Sequence, residues 1–397
     1  MLTTLAIANY RSIRDLVLPL TRLNVVTGAN GSGKSSLYRA LRLLAETAQG
    51  GLIASIAREG GLQSTLWAGP ESFSRSVKAG EYPVEGTRRK GPIQLRMGFA
   101  TDQFGYAIDL GLPRPEDSTG DERPEHHSQF LLDPVIKREC VWAGPVFRDA
   151  ALMVDRHGAS LRATNANGDW RLIPQRLSGY ESMMSEFADP TNAPEMLVVR
   201  QEMRSWRFYD HFRTDFGAPA RQPQIGTHTP ILGHDGADVA AALQTIREIG
   251  DIRALDEAID DAFPGSSIEV INQDGRFEIE MRQHGLLRPL RNAELSDGTL
   301  RYLLLVAVLL TPRPPSLMVL NEPETSLHPD LIPALARRIA NASAMTQVII
   351  VTHSRALLEH LIEDGDTRVF ELEKQFGETL VADRDACGSV RWHWPKR

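Results

Sequence analysis

The chain has 397 residues, a formal net charge of −7, 42% apolar and 24% charged residues, and only two cysteines. That composition excludes a disordered chain, a disulfide-framed module and a protein whose main task is to coat nucleic acid. The longest apolar run, 303–310, is far short of the ~20 residues that a membrane helix requires. The first residues lack the charged and long apolar regions of a signal peptide, so a cytoplasmic location is expected.

In chain order, 2–10 and 16–20 read as short strands joined by a polar turn, followed by an apolar strand at 23–27. A helix starting at Ser35 is expected to stop near Gln49-Gly50-Gly51, a glycine stop signal. Turn-rich text follows, including the basic tip Arg88-Arg89-Lys90. Segments 93–100 and 104–110 then alternate as a hairpin does. A polar loop at 113–128 carries His126 and His127, and strands are expected at 136–142 and 151–156. The pattern turns helical at 195–212, 237–249 and 255–263, with a hairpin at 267–282 built on Asp274-Gly275. An apolar helix at 299–310 precedes a strand–helix–strand–helix run: 317–320, 329–342, 347–352 and 355–362. The expected fold is α/β, a P-loop nucleotide core of parallel strands and helices. Its two parts, 1–50 and 290–397, would be separated by an inserted lobe at 51–289, β-rich first and helical later.

The chemistry concentrates at three strand ends. Gly28-Ala29-Asn30-Gly31-Ser32-Gly33-Lys34-Ser35-Ser36 has the form G-x-x-x-x-G-K-S between an apolar strand and a helix, the context a phosphate-binding loop requires. Its glycines let backbone N–H groups converge on phosphate oxygens, and the helix start adds unpaired donors. Lys34 would reach the β- and γ-phosphates of a nucleoside triphosphate, and the Ser35 hydroxyl would sit on Mg²⁺. Leu317-Met318-Val319-Leu320 is an apolar strand that delivers Asn321, Glu322 and Glu324 to its tip, where ligands bind in open α/β sheets. One group there can hold the Mg²⁺ shell (Asn321), and the next can orient and deprotonate water (Glu322). A third strand ends in Thr352-His353-Ser354, and His353 could hydrogen-bond a γ-phosphate or the attacking water. Ahead of the apolar helix, Leu295-Ser296-Asp297-Gly298-Thr299 offers Ser296 as an N-cap and Gly298 for close backbone approach.

This set, together with Ser326-Leu327-His328-Pro329 and the opening Asn9-Tyr10-Arg11-Ser12-Ile13, resembles the ABC-type ATPases, and within them the RecF/SMC-like branch. The resemblance covers 1–50 and 290–375 and is similar to the ATPase part of OLD-family proteins, without their nuclease domain. It implies an ATP- and Mg²⁺-dependent ATPase that works as a head-to-tail homodimer. ATP would lie between one copy's Gly28–Ser36 loop and the other's Ser296, Asp297 and Gly298. It further implies Glu322 as general base, His353 as γ-phosphate switch, Ser326-Leu327 as a coupling loop and Arg11 as a nucleotide contact. The partners it points to are DNA and a separate nuclease or effector protein, in DNA maintenance or phage defence, with no membrane. The glutamine that helps to bind Mg²⁺ in this branch is not assignable among Gln63, Gln129 and Gln201.

One departure stands out: position 321 is Asn where the pattern has Asp. An amide carbonyl still accepts a hydrogen bond from a metal-bound water but brings no charge, so slower hydrolysis is expected. The alternative reading is a slow or inactive ATP-dependent clamp that recruits a partner. Arg200, Arg204 and Arg207 fall on one face of the expected helix at 195–212 and read as a solvated stripe rather than a nucleic-acid track. Asp364-Gly365-Asp366 mimics the acidic pair of a Toprim nuclease without the rest of its metal set, and is rejected.

Overall fold

The computed structural model describes residues 1–73, 75–78, 91, 94–113, 129–165, 168–191, 193–363, 367–383 and 392–397. The basic tip at 88–90, His126, His127, Cys387 and the pair Asp364/Asp366 lie outside the described residues. The chain divides into two compact units. The first comprises 1–21, 28–206 and 370–397, and the second comprises 22–27 and 207–369. The division thus falls at 21/22, 27/28, 206/207 and 369/370.

The first unit is built on an eight-stranded antiparallel sheet in the order Ile13–Pro19, Leu2–Tyr10, Leu95–Thr101, Phe104–Gly111, Val135–Ala143, Leu152–His157, Ser160–Thr164, Trp170–Ile173. The expected hairpin pairs Phe99 with Tyr106 and Met97 with Ile108. Every residue of Phe104–Gly111 is buried, so this strand is covered on both faces. Buried charges cross the sheet in pairs. Arg156 Nη1 donates to Glu139 Oε2 at 2.8 Å, and Asp155 takes Arg138 at 2.9 Å and Arg162 at 2.6 Å. Burial pushes the Asp155 carboxyl up, but hydrogen bonds from His157, Arg162 and Arg138 outweigh it and hold it well below the usual range. Helix Lys34–Thr47 belongs to this unit and buries Leu37, Leu41 and Leu44, as its 3.6-residue spacing dictates.

The second unit carries a parallel ladder in the order Arg207–Tyr209, Leu317–Asn321, Gln347–Val351, Leu23–Gly28. Asn321 is level with Val351, and Val351 with Val26, so three strand tips end side by side. Helices Val239–Ile249, Asp297–Leu309 and Ile332–Ser343 share one apolar core with these strands, through Leu243, Leu304, Leu335, Leu320 and Ile350. Helix Asp297–Leu309 is buried at every position from Thr299 on, as expected for an apolar run without a polar face. The hairpin Ser267–Gln273/Arg276–Arg282 turns on Asp274 and Gly275, both at positive φ. No helix among the described residues is long and apolar enough to cross a membrane.

One element differs from expectation. The helix from Pro194 stops at Ser205, and Arg207–Tyr209 is a strand pairing with Met318–Leu320. Aromatic residues suit a pleated surface, and the parallel pairing overrides the helical spacing. Arg200 and Arg204 are therefore not a solvated stripe continuing to Arg207. Arg204 Nε donates to Ala48 O at 2.8 Å and Arg200 Nη2 to Met183 O at 3.4 Å.

Candidate functional site

In the first unit, the 28–36 loop is shaped by contacts no motif announces. Gly28 and Gly33 lie at φ 142° and 114°, backbone regions that a side chain rarely adopts. A Cβ on Gly28 would sit 2.2 Å from Leu372 O, and one on Gly33 would sit 2.1 Å from Thr379 Oγ1. Both glycines are thus fixed by the terminal hairpin as well as by φ. Thr379 Oγ1 donates to Ser32 O at 2.8 Å and lies 2.8 Å from Ser12 Oγ, while Thr379 N donates to Ser12 O at 2.7 Å. Lys34 Nζ spans the loop, donating to Gly28 O at 2.7 Å and Ala29 O at 3.1 Å. Asn30, Gly31 and Ser35 are exposed, and Ser36 is half-buried with its Oγ 3.5 Å from Ser12 Oγ. Arg11, at φ 49°, is engaged by Glu59 at 2.7 Å and lies over the Tyr10 ring.

In the second unit, the tips of strands Leu317–Asn321 and Gln347–Val351 hold Asn321, Glu322, Glu324 and His353. Glu322 adopts φ 48°, and its N–H donates to Val351 O at 2.7 Å. A non-glycine residue held in this region costs on the order of 1–3 kcal/mol, and such strain collects at functional positions. His353 Nδ1 lies 3.6 Å from both Glu322 Oε1 and Glu324 Oε1. Glu322 and His353 are about half exposed (44% and 53%), whereas Glu324 is 7% exposed. Glu324 Oε1 accepts from Thr352 Oγ1 at 2.6 Å and from His353 N at 3.3 Å, which fixes the turn carrying the histidine. Asn321 Nδ2 donates to Asp210 Oδ1 at 3.1 Å.

The segment before helix Asp297–Leu309 is held from within the same unit. Ser296 Oγ accepts from Thr299 N at 3.1 Å, the N-cap its position suggested. Buried Arg221 donates to Asp297 Oδ1 at 2.6 Å, to Leu295 O at 2.7 Å and to Thr214 O at 2.8 Å. A Cβ on Gly298 would meet Ser326 O at 3.1 Å, so this glycine is where the 296–298 segment lies against the 326–327 turn. Further along the helix, Arg301 is 1% exposed and bridges His211 Nδ1 (3.2 Å), Phe212 O (3.3 Å) and Glu322 O (3.2 Å). Burial pushes its guanidinium pKa down, opposed by Glu324 and Glu322. Thr379, Arg221, Arg301 and Asp210 belong to no sequence motif; each has partners 21 to 367 residues away. Of the three glutamines considered, Gln63, Gln129 and Gln201, all are exposed.

Each unit, taken by itself, offers oxygen atoms of the kind a triphosphate or a hard cation takes. Ser32 Oγ inside the loop and Glu324 Oε2 at the strand tip are buried without a hydrogen-bond partner among the described residues, an expensive condition in a closed interior. The Ser35 hydroxyl and the Asn321 amide carbonyl are oxygen donors of the kind Mg²⁺ takes alongside phosphate oxygens. Among the described residues no group of three His, Cys, Asp or Glu could hold a metal ion.

Phosphate loop, parallel strand tips and buried helix together define a RecF/SMC-like ATPase fold. Two solved structures share it across nearly the whole chain. One is an SMC head bound to the C-winged helix domain of ScpA: TM-score 0.51 at 15% identity, over 96% of this chain and 97% of that one. The other is a Pyrococcus furiosus Smc head with an extended coiled coil, bound to the C-terminal domain of ScpA: TM-score 0.50 at 13% identity, over 96% and 95%. At those identities the likeness concerns the fold alone. A DNA replication and repair protein RecF from Idiomarina loihiensis is 31% identical over 103 residues, which span 25% of this chain and 27% of that protein. The model of the family described as "AAA domain, putative AbiEii toxin, Type IV TA system" matches residues 23–359, and the chain belongs to that family.

Proposed function

We propose that the chain binds ATP with Mg²⁺ and hydrolyses it, two copies meeting head to tail so that each phosphate loop faces the partner's 296–298 segment. The observation that carries this reading is the alignment of strand tips at Val26, Val351 and Asn321. The first strand runs on directly into Gly28–Ser36, while the other two present Glu322 and His353. The loop's N–H groups and Lys34 would bind the β- and γ-phosphates. Glu322 would take a proton from water as its oxygen attacks the γ-phosphorus and the bond to the β-phosphate oxygen breaks, giving ADP and phosphate. His353, steadied by Glu324, would hydrogen-bond the γ-phosphate and report its presence. Ser35 and Asn321 would hold Mg²⁺, which when bound neutralises charge on the transferring phosphoryl group. Arg221 would set Asp297 and Ser296 in place for the other copy's nucleotide, and Arg11 would add a cation near the loop.

Lys34→Ala is expected to weaken ATP binding at least roughly ten-fold by removing the charge-assisted contacts to phosphate, measured by calorimetry on the full chain. Binding equal to wild type would sink the reading. Thr379→Val keeps the shape beside Gly33 and removes the hydroxyl that bonds Ser32 O. The loss expected in ATP affinity is about 1 kcal/mol, or five-fold, by the same titration; an unchanged affinity would make the hairpin incidental to the loop.

A second reading is favoured by Asn321, whose neutral side chain suits an ATP-dependent clamp that turns over slowly and recruits a partner. A role in DNA maintenance is supported by the name of the DNA replication and repair protein RecF, and phage defence beside an effector by the sequence resemblance alone. The ScpA domains bound to the SMC heads support a protein partner. ATP turnover with and without DNA separates a motor from a clamp.

A further inference from the structure

We propose that Asp210 supplies, from the adjacent strand, the negative charge that Asn321 lacks, so that the Asn321–Asp210 pair acts as one split acidic position toward the nucleotide's divalent cation. The inference deepens the ATPase reading and rests on it. Arg207–Tyr209 pairs with the Leu317–Asn321 strand residue for residue: Arg207 with Met318, Phe208 with Val319, Tyr209 with Leu320. The next two residues in line are Asp210 and Asn321, and their side chains meet at 3.1 Å.

The direction of that bond sets the chemistry. An ionised carboxylate only accepts, so the amide must turn its Nδ2 toward Asp210 and its carbonyl oxygen away. Asn321 thereby becomes a fixed oxygen donor, with a carboxylate behind it that polarises the amide and brings the missing charge. Two further contacts brace the pair. Arg301 joins His211 Nδ1 to Glu322 O, tying the residue after Asp210 to the residue after Asn321. His234 Nδ1 lies 3.1 Å from Phe208 O and steadies the short strand. The same turn holds a second oxygen acceptor: the Glu324 side chain is 7% exposed and its Oε2 has no hydrogen-bond partner among the described residues, Arg301 being the positive group near it. A buried carboxylate oxygen in that condition is costly unless a positive group is nearby.

The test uses the full-length chain with saturating ATPγS and Mn²⁺ as the probe, free Mn²⁺ being read by electron paramagnetic resonance. Asp210→Asn keeps size and hydrogen-bonding capacity while removing the charge. It is expected to weaken Mn²⁺ binding roughly ten-fold, the lower end for an outer-shell partner, with ATPγS binding in EDTA unchanged. Asn321→Asp alone is expected to gain little, because Asp210 already brings the charge to this position. Asp210→Asn combined with Asn321→Asp exchanges the two groups and is expected to restore wild-type Mn²⁺ affinity. Mn²⁺ binding within two-fold of wild type in Asp210→Asn overturns the proposal, as does a double variant as weak as that single one. Wild-type protein that binds no ATPγS in EDTA, like Lys34→Ala, overturns the ATPase reading and this proposal with it. Normal nucleotide binding with an indifferent Asp210 overturns the proposal alone.

Discussion

Glu322→Gln is expected to cut ATP turnover at least roughly a hundred-fold, the usual worth of a general base, while leaving ATP binding intact. The side chain keeps its length and can still hydrogen-bond water, but an amide takes no proton. Glu322 is held in place by its backbone, with φ 48° and its N–H on Val351 O, so the substituted side chain starts from the same position. His353 at 3.6 Å is the one cationic partner within ion-pair distance of the Glu322 carboxylate among the described residues, and Glu324, at the same distance from the ring, accepts from the His353 backbone N–H. Without hydrolysis, the ATP-bound pair of copies should persist. Steady-state turnover and sizing in Mg-ATP report both effects. A mutant as active as wild type removes Glu322 from the chemistry. A wild type with no turnover that still pairs on ATP favours the clamp.

Arg156→Met is expected to destabilise the chain by about 3–5 kcal/mol, the cost of leaving one member of a buried pair alone. Both Arg156 and Glu139 have fully buried side chains. The guanidinium also serves Gly158 O at 2.7 Å, Ser178 O at 2.6 Å and Glu181 O, each of which would lose this donor, Ser178 O keeping Glu181 N at 3.2 Å. Glu139 would keep the neutral donors Tyr106 OH (2.8 Å), Ser182 Oγ (2.6 Å) and Met183 N (2.8 Å), too few to compensate a buried charge. Urea unfolding of wild type and mutant measures the difference. A loss under about 1 kcal/mol, the worth of one ordinary hydrogen bond, would mean that the Arg156–Glu139 pair does not act as a buried ion pair. The loss would reach the phosphate loop as well: Met183 O accepts from Arg200, and Arg204 on the same helix holds Ala48 O at the end of helix Lys34–Thr47.

What the sequence disclosed is local. Gly28–Ser36, Glu322 and His353 announce themselves because a glycine loop, an apolar run and a polar tip are adjacent in the chain, and backbone geometry does the rest. Ser296 was legible as a cap for the same reason. Arg207 was misread because aromatic residues fit helix and strand alike, and only the partner strand Leu317–Asn321 decides between them. Asp210 was invisible: its meaning comes from a neighbour 111 positions later. Arg221 belongs to no motif, yet its carbonyl partners at 292, 293 and 295 make it the anchor of the 296–298 segment. Long-range polar contacts have no period to detect, which is why the frame was readable and its fastenings were not.

The threonine that locks the glycine loop has a consequence for the order of synthesis. Ser32 and Thr379 are 347 positions apart, and a ribosome adding roughly 5–20 residues each second needs tens of seconds to cover that distance. The strand, loop and helix emerge that much earlier than the hydroxyl that fixes their shape. A nascent chain therefore carries this loop unfinished for that interval, and the loop takes its final shape only as the Thr367–Gln375/Glu378–Val381 hairpin closes.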